Sequence, residues 1–161
     1  GHTFAFVRER KGRGSAWIAH FNAGPPSRLT DDSYDVRAVA FLRSGSLLFL
    51  AKHNGRGALF TVNPGAPPLP FFDSGGMEAF AASPDEYLIA FTQLIHNHWQ
   101  LATLDTLSHR VTVLTSADCN AYTPAWLNST TIIYATDCGR GIGLTALASM
   151  NIARQINSGL H

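Results

Sequence analysis

Charge is what this sequence has least of. Asp, Glu, Lys and Arg make up 14% of its 161 residues, where about 25% is usual for soluble domains. Aromatic residues reach 11%, so disorder and coiled coil are both excluded, since each needs more charge and fewer aromatics. Neither sign of charge dominates. The 12 basic and 11 acidic residues leave a net charge of +1, too balanced for a general binder of nucleic acid or anionic membrane. Lysine is scarce, at two against ten arginines, so individual arginines merit inspection. Long apolar runs are missing as well. The longest uncharged ones, such as residues 44–51, are far too short to span a bilayer. No signal-peptide pattern opens the sequence, so compartment must be read from other features. Enzyme signatures are absent too: no G-x-S-x-G, P-loop, G-x-G-x-x-G or H-E-x-x-H occurs, and each of those carries a definite chemistry.

What is present is a repeat, within a length that suits one domain burying about 70% of its surface. Four alternating apolar runs each end in Asn or Asp: residues 16–22, 58–63, 99–105 and 146–151. The closing residues Asn22, Asn63, Asp105 and Asn151 are 41, 42 and 46 positions apart. Asx side chains bond the backbone just ahead and start turns, which explains their place. A second run precedes each: Phe4-Ala5-Phe6-Val7, Leu47-Leu48-Phe49-Leu50, Leu88-Ile89-Ala90-Phe91 and Ile132-Ile133-Tyr134-Ala135. These short, β-branched and aromatic stretches read as buried strands. Three of them follow a shorter strand and a tight turn, at residues 39–41, 79–81 and 123–126. A weaker fourth strand follows the Asx turn at residues 27–30, 69–72 and 110–115. Pro68 and Pro70 suit only a sheet edge, in keeping with an outermost strand. Helix is conceivable only at residues 144–156, where alignment with the other repeats favours strand.

Four strands per repeat of about 40 to 45 residues is the pattern of a β-propeller blade. The expectation is an all-β propeller of about four four-stranded antiparallel blades, one domain over 1–161 with blades near 3–34, 35–76, 77–120 and 121–161. The first unit begins at its second strand, and the last strand of the fourth is faint, near Ala153 to Ile156. The ring is therefore either cut from a larger propeller or completed by another chain.

At Ala82-Ser83-Pro84-Asp85-Glu86-Tyr87-Leu88-Ile89-Ala90-Phe91-Thr92 the chain resembles the TolB-like propeller repeat, whose core reads roughly W-S-P-D-G-x-x-I-A-F. The stretch from Thr123-Pro124-Ala125-Trp126 through Ile132-Ile133-Tyr134 is similar to a degenerate copy. Thr30 and Thr115 match the family's R-x-L-T ending of the outer strand, and Glu86 stands where the family has Gly. The resemblance implies the propeller fold. TolB-like repeats occur in periplasmic partner-binding proteins, in propellers attached to peptidases and in sugar-cleaving enzymes, so it implies no single activity. Ser83 and Asp85 read as the structural turn of the repeat, not as catalytic residues.

The strongest candidate for a site is Gly-Arg-Gly, present at residues 12–14, 55–57 and 139–141 in the loops between second and third strands. The repeat register puts His98 at the matching place of the third unit, inside His96-Asn97-His98-Trp99. Equivalent loops of a propeller share a face, so Arg13, Arg56, His98 and Arg140 would form part of a ring around one mouth. Arg suits planar recognition of carboxylate or phosphate, and flanking glycines admit a ligand to the backbone. The structural alternative is a repeated tight hairpin whose arginines pair with Asp31, Asp32, Asp35, Asp73 or Asp118. His96 and His98 could chelate a metal at i, i+2, though no third ligand shows repeat-consistent spacing. Tyr34, Tyr122 and Met77 lie near the same mouth as candidate contacts.

Cys119 and Cys138 are the sole cysteines. The turn between the strands they flank centres between Asn128 and Ser129, as does their own midpoint, so antiparallel pairing would bring them within reach of a disulfide. Two free thiols are the alternative. A bond would indicate an oxidising compartment, in keeping with the periplasmic or secreted habit of TolB-like proteins.

These readings converge on a non-enzymatic, periplasmic or secreted propeller that binds a protein or peptide partner through the face of Arg13, Arg56, His96, His98 and Arg140. No catalytic residue, cofactor or metal is assigned, and neither nucleic acid nor membrane insertion is expected. One alternative is a sugar- or small-anion-binding propeller, or a metal-assisted enzyme, using the same face. Another is a structural fragment whose open terminal strands promote self-association.

Overall fold

The computed structural model describes residues 3–42, 44–116, 118–139 and 145–152. By its internal contacts the chain divides into two compact units, residues 1–77 and 78–161. Every regular element among the described residues is a β-strand. In the first unit, β1 (Thr3–Arg10), β2 (Arg13–His20) and β3 (Ser27–Arg28) form one sheet in chain order. Next come β4 (Asp35–Phe41), β5 (Leu47–His53), β6 (Arg56–Val62) and β7 (Leu69–Phe72), again in chain order. A further four-stranded sheet holds β8 (Met77–Ala82), β9 (Leu88–Ile95), β10 (His98–Asp105) and β11 (Val111–Val113). The last sheet, β12 (Ala121–Asn128), β13 (Thr131–Thr136) and β14 (Ala146–Asn151), has three strands.

The fourteen strands among the described residues fall where the apolar runs place them; the faint strand near Ala153 to Ile156 lies outside the described residues. The stretch where helix was conceivable contributes β14, paired to β13 from Thr131↔Asn151 to Thr136↔Ala146. Alternation decides this, because its side chains are half-buried and exposed in turn, a period of two. Pro70 sits in β7, an edge strand with no ladder to break on its outer side.

Local chemistry closes the turns as the residue types require. Asp105 accepts the backbone N–H groups of Leu107 and Ser108 on Oδ1, at 3.0 and 2.7 Å. At the repeat core, the Ser83 hydroxyl donates to Asp85 Oδ1 at 2.6 Å and accepts the Leu88 N–H at 3.1 Å. Glu86, at the glycine position of the TolB-like repeat, takes a left-handed φ of +64°, a conformation glycine adopts without strain. The threonines of R-x-L-T have a structural task. Thr30 Oγ1 accepts the Ala16 N–H at 3.0 Å, and Thr115 Oγ1 accepts the Leu101 N–H at 2.9 Å. Each fills a ladder position where the short outer strand has run out.

The sheets of the first unit pack through Ala16, Val36, Phe49, Ala51, Phe60 and Val62, with Ala5 and Val7 of β1 against them. In the second unit Ala90, Leu101, Ala121, Ile132 and Ile152 form the core, flanked by Trp126. The Trp126 indole N–H donates to the Ala81 carbonyl at 2.9 Å, tying β12 to β8.

Candidate functional site

The Gly-Arg-Gly motifs at residues 12–14 and 55–57 belong to hairpins, but their arginines stand beyond the loop. Lys11-Gly12 and Asn54-Gly55 form the two-residue turns, with φ of +54° and +75°, then +53° and +81°. His96-Asn97 does the same with +48° and +66°. Positive φ at both central residues defines the turn whose twist matches that of the flanking strands. Arg13, Arg56 and His98 are in consequence the first residues of β2, β6 and β10, paired with Arg10, His53 and Ile95. His96 is exposed in its turn, whereas His98 is half-buried with Nδ1 enclosed and unbonded. Gly139 has a φ of +67°, while Arg140 lies outside the described residues.

The second glycine of these two motifs admits neighbouring backbone, not a ligand. A Cβ on Gly14 would sit 1.9 Å from the Val36 carbonyl oxygen, and one on Gly57 would sit 2.4 Å from that of Met77. The Gly14 N–H donates to Asp35 Oδ1 at 2.9 Å, and in the second unit the Trp99 N–H donates to Asn120 Oδ1 at 2.8 Å. The start of the third strand is thus clasped by the residue at, or just before, the start of the following sheet. Met77 is 3% exposed, so it is a packing residue and not the surface contact that its sequence position suggested. Tyr34 also packs on the core, edge-on to Phe49 and Phe60 at 5.7 and 5.1 Å.

Four of the acids expected to neutralise the motif arginines bond other groups: Asp31 the Ser33 N–H, Asp32 Arg28, Asp35 Arg37 and Asp73 the Gly75 N–H. Among the described residues the two ion pairs are Arg28–Asp32 and Arg37–Asp35. The hydrogen bond and charge of Arg28 hold the Asp32 carboxyl below its usual range. Arg13 instead borders a hollow of about 520 Å³ with Arg8, Arg10, Lys11, Trp17 and the Arg28–Asp32 pair. This group was not singled out from the sequence, although the alternation Phe4-x-Phe6-x-Arg8-x-Arg10 carried the signal. Arg56 borders a second hollow of about 390 Å³ with His53, Phe60, Phe71, Phe72 and Asp73.

Cys119 and Cys138 form a disulfide with Cα atoms 5.2 Å apart. The turn is Ser129-Thr130, one residue later than expected, since Asn128 pairs with Thr131. Two register shifts, between Tyr122 and Ala125 and between Trp126 and Asn128, restore Ala121↔Thr136 and bring the cysteines opposite. Between them Asp137 accepts the side-chain and backbone N–H groups of Asn120, at 2.8 and 2.6 Å. Those bonds hold its carboxyl below the usual range. Burial, with the nearby Asp137 charge, pushes Tyr122 up. The disulfide borders a hollow of about 290 Å³ with Gln100, Thr115 and Tyr134. Cys119, Asp137 and Cys138 are the one set of three potential metal donors grouped within 4.8 Å among the described residues. Both sulfurs are committed to the disulfide, and His96 and His98 belong to no such group.

No protein-family model and no curated protein matches the sequence. Solved structures do match in fold. TolB from Acinetobacter baumannii superposes with a TM-score of 0.75 at 19% identity, over 94% of this chain and 38% of that one. A puromycin-hydrolyzing peptidase of Mycobacterium tuberculosis gives 0.76 at 13% identity, over 95% of this chain and 26% of its own. The oligogalacturonate lyase of Vibrio parahaemolyticus gives 0.70 at 13% identity, over 96% and 46%. The chain has an all-β, TolB-like β-propeller fold, and it spans less than half the length of each of these three proteins. Hydrolytic and lyase proteins share the fold with TolB, so the fold by itself assigns no reaction.

Proposed function

We propose that this chain is part of a non-enzymatic, extracytoplasmic β-propeller that binds a protein or peptide partner through the ends of its third strands. Arg13 and Arg56 lead that face, with His98 and Arg140 at the corresponding positions of the repeat. The observation that carries the reading is the setting of Arg13. It stands at the head of a strand, on a rigid two-residue turn, beside a hollow rimmed by Arg8, Arg10 and Lys11. None of these four cations has a carboxylate at ion-pair distance among the described residues. Stiff hairpins that present arginine outside any close ion pair supply charge complementarity at little ordering cost. The Cys119–Cys138 disulfide supports the extracytoplasmic assignment, because such bonds persist in oxidising compartments. No helix among the described residues is long and apolar enough to cross a membrane.

The test is capture of extracytoplasmic proteins from the source cell by immobilised chain, wild type against Arg13→Glu/Arg56→Glu, with bound species identified by mass. A partner retained by wild type and lost by the variant supports the reading. The same species captured undiminished by both would remove this face from consideration.

A further inference from the structure

The Cys119–Cys138 disulfide sits on a frame of hydrogen bonds that does not include it. Gln100 Nε2 donates to the Cys119 carbonyl at 3.0 Å, and the Cys138 N–H donates to Thr136 Oγ1 at 3.2 Å. The inner neighbours of the two cysteines clasp each other. Asn120 donates its backbone N–H to Asp137 Oδ1 at 2.6 Å and its side-chain N–H to Oδ2 at 2.8 Å. The Asp137 N–H donates back to the Asn120 carbonyl at 3.3 Å. Asn120 is itself fixed by the Trp99 N–H, which donates to its Oδ1 at 2.8 Å. Both cysteine backbones are thus held by groups outside the S–S bond.

The pair is also accessible. Cys138 is exposed, Cys119 is half-buried, and a hollow of about 290 Å³ borders both. Exposed disulfides are more readily reduced by thiols than enclosed ones. A third donor stands beside the sulfurs, since one Asp137 carboxylate oxygen lies within 4.8 Å of both. A carboxylate has about four lone-pair sites, and Asn120 and Tyr122 engage three of those on Asp137. Metal-ligating carboxylates are commonly oriented by such outer hydrogen bonds. Around a tetrahedral zinc ion, with bonds of about 2.3 Å to sulfur and about 2.1 Å to oxygen, donor atoms are about 3.6–3.8 Å apart. Cys119, Asp137 and Cys138 therefore group on the scale of a single ion.

We propose that reduction converts this disulfide into a binding site for one borderline-soft divalent cation of the zinc type. Its protein donors are Cys119 Sγ, Cys138 Sγ and an Asp137 carboxylate oxygen. The reductant is a dithiol of the thiol–disulfide oxidoreductase class. One of its thiolates attacks the exposed Cys138 sulfur, and Cys119 leaves as thiolate. Its second thiol then displaces Cys138 and closes the reductant's own disulfide. Two electrons pass from the dithiol to the cysteine pair, and the two dithiol protons end on Cys119 and Cys138. Binding of the cation releases those protons to solvent. Thiolate donors favour zinc over calcium or magnesium, which take oxygen ligands. The adjoining hollow leaves room for a water or an exogenous side chain as fourth donor. The site is closed while the pair is oxidised and opens only where such a dithiol acts. It is independent of the arginine face and of the partner reading.

The test uses the 161-residue chain, reduced with a phosphine under nitrogen, with cobalt(II) as probe and zinc as competitor. Cobalt should bind at one per chain with a thiolate charge-transfer band in the near ultraviolet, and zinc should displace it. The oxidised chain and Cys119→Ser/Cys138→Ser should show no such band. Asp137→Asn should keep the band and lose about tenfold or more in zinc affinity, a loss that even an outer-shell partner commonly causes. X-ray absorption fine structure of the zinc-loaded wild type should give two sulfur donors and otherwise oxygen or nitrogen, a readout that stands even if Asp137→Asn does not fold. Fewer sulfur donors, four of them, equal binding by the oxidised chain, or undiminished affinity in Asp137→Asn would each overturn the proposal. So would loss of the native circular dichroism on reduction, because the Asn120–Asp137 clasp would then not be what holds the donors together.

Discussion

Gly14 and Val36 touch through their backbones, leaving no room for a side chain between β2 and β4. Substitution Gly14→Ala must push the two sheets of the first unit apart, and about 1–3 kcal/mol is the usual cost of such overpacking. Gly57→Ala against Met77 should behave alike. Gly12→Ala meets open space and suffers only its left-handed φ of +75°, about 1 kcal/mol. Urea unfolding midpoints of the three variants should rank Gly12→Ala nearest to wild type.

Thr30 and Thr115 each supply a hydroxyl in place of a missing ladder carbonyl. Thr30→Val leaves the buried Ala16 N–H without its acceptor, a loss of about 1–3 kcal/mol. Thr115→Val should cost at least as much, because Thr115 Oγ1 also donates to Gln100 Oε1 at 2.7 Å. If the serine variants at both positions recover most of the lost stability, the hydroxyl is the cause. If they do not, the methyl packing is.

The disulfide closes a loop across the β12–β13 hairpin, with a sequence separation of 19. A loop of that size implies about 3 kcal/mol of stabilisation through the unfolded chain. Cys119→Ser/Cys138→Ser should therefore unfold at lower denaturant than wild type in oxidising buffer. In buffer with a strong reductant the two should converge, and a persistent gap would mean that the serines disturb the Asp137–Asn120 clasp.

Asp85, Asp105 and Asp137 all hold their protons less tightly in the fold than in the open chain. The causes are the Ser83 hydroxyl, the Ser108 N–H and the Asn120 side chain respectively. A depressed carboxylate contributes stability that is complete above its ordinary value of 3.8 and fades as pH falls through the folded value. Unfolding midpoints should thus be insensitive to these groups between pH 5 and 7 and should drop as pH goes below about 4. In Asp105→Asn, which cannot titrate there, the drop between pH 5 and 3 should be smaller than in wild type.

Much of the architecture is legible in order of residues alone, for a local reason. Period-two alternation, Asx closures and edge prolines each act over fewer than ten residues, so the strands fall where those signals put them. The cysteine pair was legible through hairpin symmetry, even though the turn lies one residue later, because two register shifts compensate. Gly-Arg-Gly was recognisable as a recurring feature but not in its purpose. Its first glycine, or the Asn-Gly pair, answers a turn's demand for positive φ. Its second glycine answers a carbonyl from another sheet, and no local pattern contains that partner.

The sequence by itself determined the all-β class, the propeller repeat, the approximate hairpin positions and the hairpin symmetry that sets Cys119 opposite Cys138. Backbone conformation and side-chain alternation are set by near neighbours, so those features need no knowledge of the rest of the chain. Only tertiary structure decided which face of each strand is covered. It buried Met77, turned Ala5, Val7 and Ala16 inward, and left Arg8, Arg10 and Arg13 outward beside Trp17. The ion pairs Arg28–Asp32 and Arg37–Asp35 are local, within four residues in the chain, and Arg13 has no carboxylate at ion-pair distance among the described residues. Which surfaces meet, and so which side of each strand is covered, follows from close packing between segments distant in the chain.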